Sequence, residues 1–363
     1  MILFTTQNFL PDVGGIQIYM TGLADTLAAR GHRVAVYCDA DAGPRAAAVD
    51  GARRYPIFRF GGPRPWQRWR KARAVTQRIA QGDVEAVVAD SWKSLALLPA
   101  HILRSVHVLC LAHGWEFRVP PRSLKQRRLV AALAKADIVG ANSHFTRDIV
   151  RPFLKPAKEL QVLLPGVYPP PGAARAFSPR ASNNSKIVTI ARLDPFKGID
   201  TVLRAVSHLK QAYPGLAYHV VGDGADRKRL PALARELGIA DRVHFHGEIG
   251  ALDPRKAALL ADCGIFVSPN RDVESFGIVF VEAGALGLPV IAGIAGGTAD
   301  AVVDGKTGLL VDGASDVAVR DALVRLLENP AEAEAMGRAA HARFWAQFAW
   351  DAAIGRFEAA LKG

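Results

Sequence analysis

Residues 165–185, PGVYPPPGAARAFSPRASNNS, decide how the 363-residue chain divides. Five prolines, two glycines and a run of Ser and Asn leave no apolar period for a helix or a strand. Proline fixes φ and removes a backbone donor, so this composition reads as a linker. On its N-terminal side, short apolar runs recur: MILFTTQ (1–7), HRVAVYCD (32–39), VEAVVAD (84–90), HVLCLAH (107–113) and ADIVGANS (136–143). The same pattern restarts on its C-terminal side with KIVTIARL (186–193), AYHVVGDG (217–224), RVHFHGEI (242–249), CGIFVSP (263–269) and LPVIAG (288–293). Helix-compatible segments lie between the runs, among them GGIQIYMTGLADTLAARG (14–31), GIDTVLRAVSHLKQAY (198–213) and DRKRLPALARELG (226–238). Such alternation predicts parallel sheets with helices on both faces. The expected fold is α/β, with two Rossmann-like doubly wound domains at 1–168 and 186–344 joined by a linker at 169–185. FWAQFAWDAAIGRFEAALKG (344–363) reads as a last helix, from about 345 to 363, that packs its aromatic residues back on the first domain.

Composition narrows the function classes. No apolar run approaches the ~20 residues that span a bilayer. MILFTTQNF carries no charged leader and no small-residue cleavage site, so it reads as a strand rather than a signal peptide. Cys38, Cys110 and Cys263 are far apart and form no CxxC pair, which suits a reducing cytoplasm. The net charge of +12 is asymmetric: residues 1–170 hold 24 Lys and Arg against 12 Asp and Glu, and the remainder holds 22 against 22. Two acid-free stretches, 53–78 and 117–136, carry much of the excess. Trp66 and Trp69 stand among the arginines of the first, in RPWQRWRKAR. That mixture points to an anionic membrane surface, at the inner face of the cell membrane, with a solvated basic face as the plain alternative. No nucleic-acid recognition motif accompanies the charge, so nucleic acid is not expected as a partner.

Three segments carry candidate chemistry, each where an expected strand ends. ARLDPFKGID (191–200) puts Arg192 after a strand and Lys197 just before a helix. Two cations beside free helix amides suit a diphosphate. VVGDGADRKRL (220–230) offers Gly222 and Gly224 for a tight turn with close backbone approach. FVSPNRDVESFGIVFVEAGALG (266–287) reads as strand, loop and helix. Glu274 falls in the loop, Ser275, Phe276 and Gly277 open the helix with unsatisfied amides, and Glu282 follows about two turns along, among small and apolar residues. A carboxylate there can accept from paired hydroxyls of a ribose or a sugar.

The ordered set resembles the family 4 glycosyltransferases over most of the chain. Its most specific part is the E-x7-E signature, Glu274 and Glu282, in ESFGIVFVEAGALGLPVIAGIAGG. PDVGGIQ (11–17) is similar to the family's glycine loop and AHGWE (112–116) to its active-site histidine segment. The resemblance implies GT-B architecture, two Rossmann-like domains facing across a cleft whose closure excludes water. It implies a retaining hexosyltransferase that takes sugar from a nucleotide-diphosphate donor and needs no metal. Arg192 and Lys197 would bind and neutralise the diphosphate. Glu274 would contact the donor sugar, with the amides of Phe276 and Gly277 nearby, and Glu282 would hold the ribose. Gly15 would let backbone approach the phosphates and acceptor, and His113 would lie beside the reacting sugar. The base would sit near Gly247 to Ile249, after the strand RVHFH, and Gly222 would be among the donor-binding residues. The departing phosphate would take the acceptor proton. GDP-mannose is favoured as donor over UDP-glucose and UDP-N-acetylglucosamine, and the acceptor is expected to be a glycan or a lipid-linked envelope sugar.

Competing readings meet specific obstacles. A nicotinamide dehydrogenase would use Asp39 on a ribose, but GGIQIYM lacks the GxGxxG spacing. DAD at 39–41 reads as the polar end of a strand rather than a metal-binding DxD. A sugar-nucleotide epimerase would need acid–base residues, for which His113, Glu116 and Asp90 are available. A non-catalytic sugar-nucleotide binder has no need of Arg192, Lys197, Glu274 and Glu282 together.

Overall fold

The computed structural model describes residues 1–11, 14–179, 185–250, 253–272 and 274–362. They form two compact units: Met1–Gly166 completed by the helix Trp350–Lys362, and Val167–Ala349.

The first unit is built on strands β1 (Ile2–Thr6), β2 (Val34–Cys38), β3 (Ile57–Arg59), β4 (Ala86–Ala89), β5 (His107–Ala112), β6 (Ile138–Ala141) and β7 (Glu159–Val162). All pair in parallel, in the order β3-β2-β1-β4-β5-β6-β7. Leu3 stands opposite Ala35 on one side and Val87 on the other. Every residue of β1, β2 and β4 is buried. Helices cover both faces, so these strands read as continuous apolar runs rather than alternating ones.

The second unit holds β8 (Lys186–Ile190), β9 (Ala217–Val221), β10 (Val243–Phe245), β11 (Ile265–Ser268), β12 (Val290–Gly293) and β13 (Gly308–Val311). Their order is β10-β9-β8-β11-β12-β13, again parallel. Counted within its unit, this is the 3-2-1-4-5-6 order that β1–β6 also follow. Strand order reverses between β1 and β4, and between β8 and β11. At such a switch point the flanking connections leave to opposite faces and open a crevice beyond the strand C-termini. The α/β doubly wound expectation therefore holds in both units.

Local expectations needed correction. The C-terminal segment is not one helix. Phe344–Phe348 is a π-helical turn, Ala349 turns out of the helix at φ −54 and ψ 138, and a new helix runs Trp350–Lys362. The break lets Phe348 O accept from Val167 N–H at 2.7 Å while Trp350 packs elsewhere. The helix after β11 begins at Ile278, not at Ser275, because Gly277 takes a left-handed conformation at φ 85. Glu282 is thus the fifth helical residue, little more than one turn along. The basic stretch 53–78 is not wholly a solvated face: Arg59 and Lys71 turn inward, with side chains 3% and 4% exposed, and pair with Asp50 and Asp39. Residues 180–184 of the expected linker and Asp12 and Val13 of the glycine loop lie outside the described residues. Among the described residues, no helix is long and apolar enough to cross a membrane.

Candidate active site

The switch point of the second unit brings Lys197 and Glu274 together. Pro195–Lys197 forms a single 3-10 turn, and Gly198 follows in the left-handed region at φ 70 before the helix Ile199–Leu209 begins. A Cβ at Gly198 would lie 2.2 Å from Pro269 O, so this turn rests directly on the loop after β11. Only glycine allows both the conformation and the approach. Lys197 Nζ then donates to Glu274 Oε2 at 2.6 Å, and Asn270 Nδ2 donates to the same oxygen at 3.2 Å. The Glu274 main chain is held as well: its carbonyl accepts from Gly297 N–H at 2.6 Å. Gly296, at φ 77, allows this, since a Cβ there would meet Glu274 O at 2.3 Å. Phe276 is buried against the edge of Phe348, with ring centroids 5.6 Å apart. Among the described residues, no backbone acceptor is recorded for the amides of Phe276 and Gly277.

Glu282 has a lysine of its own. Lys256, on the helix Pro254–Asp262, lies 2.7 Å from Glu282 Oε2, and the two side chains are only 10% and 12% exposed. The carboxylate in an apolar helix is therefore charge-compensated, and loss of either partner would leave the other charge buried alone. Sequence reasoning missed Lys256. A cation two residues into a helix that starts with proline gives no local sign of a partner 26 positions away.

Arg192 is placed differently from Lys197. Its guanidinium pairs with Asp194 at 2.9 Å and is 74% exposed, so each candidate diphosphate cation has its own carboxylate. Gly222, at φ 140, closes against the chain after β8, where a Cβ would come within 1.8 Å of Ala191 O. Its N–H donates to Gly247 O at 2.7 Å, which joins the GDG turn to the segment Gly247–Ile249. Directly before that segment, three histidines share one face of the sheet edge. His244 is in register with His219, and His219 Nδ1 is 3.0 Å from His246 Nε2. Burial holds His219 down to about 4, with the two neighbouring imidazoles adding to the effect, and burial lowers His246 too.

In the first unit, His113 follows β5 and its Nε2 meets Asp90 O at 2.9 Å. A carbonyl can only accept, so Nε2 carries a proton. The His113 amide donates to Glu116 Oε1 at 2.7 Å, and the ring meets Tyr19 edge-on at 5.8 Å. Asp90 is itself fixed at the switch point by Gln7 N–H, at 2.8 Å, and by Ser94 Oγ, at 2.6 Å. Gly15 opens the helix Gly15–Ala29 that carries Tyr19. Asp39 follows β2 and pairs with Lys71 at 3.0 Å, and Lys71 also donates to Thr6 O at 2.7 Å. Burial raises the Asp39 carboxyl, and the Lys71 ammonium opposes that rise.

Comparison with known proteins decides the family. Residues 173–343 match the family described as glycosyl transferases group 1, and residues 13–169 match glycosyltransferase family 4. A Mycobacterium tuberculosis protein, the GDP-mannose-dependent alpha-(1-6)-phosphatidylinositol monomannoside mannosyltransferase, is 35% identical across 100% of this chain and 98% of its own. The chain is a family 4 glycosyltransferase. A second relative of this glycosyltransferase, the D-inositol 3-phosphate glycosyltransferase of Corynebacterium diphtheriae, is 29% identical over 96% of the chain and 89% of its own length. Anabaena Alr3699/HepE, solved in complex with UDP, superposes on this glycosyltransferase with a TM-score of 0.80, at 22% identity and 99% coverage of both chains. WaaG, a glycosyltransferase involved in lipopolysaccharide biosynthesis, does so with a TM-score of 0.71, at 18% identity and 100% coverage of both. At such identities these two establish the shared GT-B fold alone.

Proposed function

We propose that this glycosyltransferase transfers mannose from GDP-mannose to a hydroxyl of a lipid-linked inositol glycan, with retention of anomeric configuration and no metal cofactor. The Lys197–Glu274 pair carries the reading. It sets a cation for the leaving diphosphate beside a carboxylate for sugar hydroxyls, at the switch point of the second unit. The named relatives supply the donor and acceptor classes. Lys197 and Arg192 stabilise the diphosphate as charge develops on it, which contributes where transition-state charge exceeds ground-state charge. The acceptor hydroxyl attacks on the face that the phosphate leaves, and the phosphate oxygen takes its proton. Glu274 and the Phe276 and Gly277 amides hold the sugar, Glu282 holds the ribose, and the segment Gly247–Ile249 beside Gly222 receives the base. His113 and Gly15 serve the acceptor side.

Calorimetric titration with GDP and UDP separates the donors, and NMR of the product reads its anomeric configuration. Tighter binding of UDP, or an inverted product, would remove this reading.

The acceptor's lipid implies work at an anionic bilayer, at the cytoplasmic face. On the helix Arg64–Ala80, Arg64, Arg70 and Arg73 are exposed together with Trp66 (65%) and Trp69 (49%). The helix Leu124–Leu133 exposes Lys125, Arg127 and Arg128 beside Leu124 (70%). Basic residues among exposed apolar ones suit anionic headgroups. Co-sedimentation with phosphatidylglycerol vesicles that weakens steeply as salt rises is expected; equal partitioning onto phosphatidylcholine would oppose it.

A further inference from the structure

Arg271 links the two segments that carry Lys197 and Glu274. It lies three positions before Glu274 in the loop after β11. Its main-chain N–H donates to Phe196 O at 2.8 Å, beside Lys197. Its guanidinium donates to Thr201 Oγ1 from Nη2 at 2.6 Å and from Nε at 3.1 Å, and Nη2 is 2.7 Å from Asp200 Oδ1. Asp200 and Thr201 belong to the first turn of Ile199–Leu209, the helix that the Lys197–Gly198 turn enters. Thr201 is fixed from the other side, where Oγ1 donates to Gly313 O at 3.0 Å. Asp200 also faces Arg229 at 3.5 Å, and Arg229 pairs with Asp226 at 2.6 Å. Asp226 N–H in turn donates to Leu193 O at 2.8 Å, next to Arg192. One guanidinium therefore joins the glutamate loop to the lysine turn, and through Asp200 to the turn after β9.

We propose that Arg271 is a positioning residue that sets the register of Lys197 against Glu274 and so aims the Lys197 ammonium at the leaving diphosphate. This rests on the transfer reading above. Arginine suits the task because its planar, permanently charged fork spans a hydroxyl and a carboxylate at once, which the point charge of lysine does not. Binding a diphosphate tolerates a displaced ammonium, since the flexible lysine stem follows the ligand. Rate does not, because a misplacement of about 1 Å can cost about 100-fold. Arg271 thus acts on turnover more than on affinity.

The test measures kcat and KM for mannose transfer from GDP-mannose to phosphatidylinositol monomannoside in micelles, with GDP affinity by calorimetry and Tm alongside. Wild type, Arg271→Ala and Arg271→Lys are compared, and Arg271→Ala is also assayed with added ethylguanidinium. In Arg271→Ala, kcat should fall by at least about tenfold while the GDP Kd stays within about threefold. Arg271→Lys should regain Tm without regaining kcat, and ethylguanidinium should raise the kcat of Arg271→Ala. If Arg271→Ala does not fold, the kcat and Kd of Arg271→Lys carry the same comparison. An unchanged kcat overturns the proposal. So does a parallel loss of kcat, GDP affinity and Tm that Arg271→Lys fully reverses, since that marks a purely structural role. A wild type that binds GDP and transfers mannose leaves the transfer reading intact in either case. A wild type that does neither overturns both.

Discussion

Each acid of the E-x7-E signature is answered by a lysine, and the two pairs predict different phenotypes. Lys197 is held by Glu274 at 2.6 Å. Glu274→Gln should release the ammonium to the diphosphate, so GDP binds at least as tightly while turnover falls by about 10–100-fold, the value of one charge-assisted hydrogen bond to the sugar. Glu282→Ala should instead weaken donor binding first; calorimetry and steady-state kinetics on both variants distinguish the two roles. In the first unit, Lys71→Met should destabilise by about 3–5 kcal/mol, because Asp39 is left buried without its cation. Lys71→Met with Asp39→Leu should recover most of that loss in denaturant titration. The acids were legible in the sequence because their spacing is local and their surroundings apolar. Lys256 and Lys71 were not, because a pairing partner 26 or 32 positions away is set by how helices lie on the sheet. Arg271 gives no sign for the same reason: in PNRD it looks like any loop arginine.

At the scale of elements, strands buried on both faces announce themselves as apolar runs, and the ten runs read as strands lie in the two sheets. β3, β7 and β13 did not stand out because they are three- and four-residue edge strands, only partly buried, and β3 and β7 also carry charged residues. The helix after β11 starts three residues later than its sequence suggests, since the left-handed Gly277 is a backbone choice that composition does not reveal. The β9–β10 edge predicts a pH response. His219 faces His244 and His246, with Lys186 and Asp262 also acting on it. Its folded pKa, about 4, and the lowered His246 lie below the ordinary imidazole value near 6.5. The unfolded chain therefore binds more protons between those values. The stability of this edge is full above about pH 6.5 and is lost as pH falls towards 4. His219→Gln should lose less Tm than wild type between about pH 7 and pH 5, and an equal loss would show that the histidines do not contribute.

For the whole molecule, charge and connectivity follow the division into two units. The basic excess belongs to the first unit, and the candidate donor residues Arg192, Lys197, Glu274 and Glu282 belong to the second. The chain leaves the first unit after Gly166 and re-enters it at Trp350. Trp350 then fills a slot that glycine leaves open: a Cβ at Gly22 or at Gly166 would lie 2.2 Å from its indole. Tyr19 stacks on it at 5.8 Å, Phe357 is fully buried, and His107 Nε2 donates to Ala360 O at 2.9 Å. A fragment ending at Gly166 should lack cooperative unfolding, and a peptide of residues 350–362 should restore it; Val167–Ala349 should unfold cooperatively alone. Synthesis runs from the N-terminus, and domains fold as units while it proceeds. The half made first is therefore the half finished last: the ribosome must deliver the second unit and then the closing helix before the first unit can complete its core.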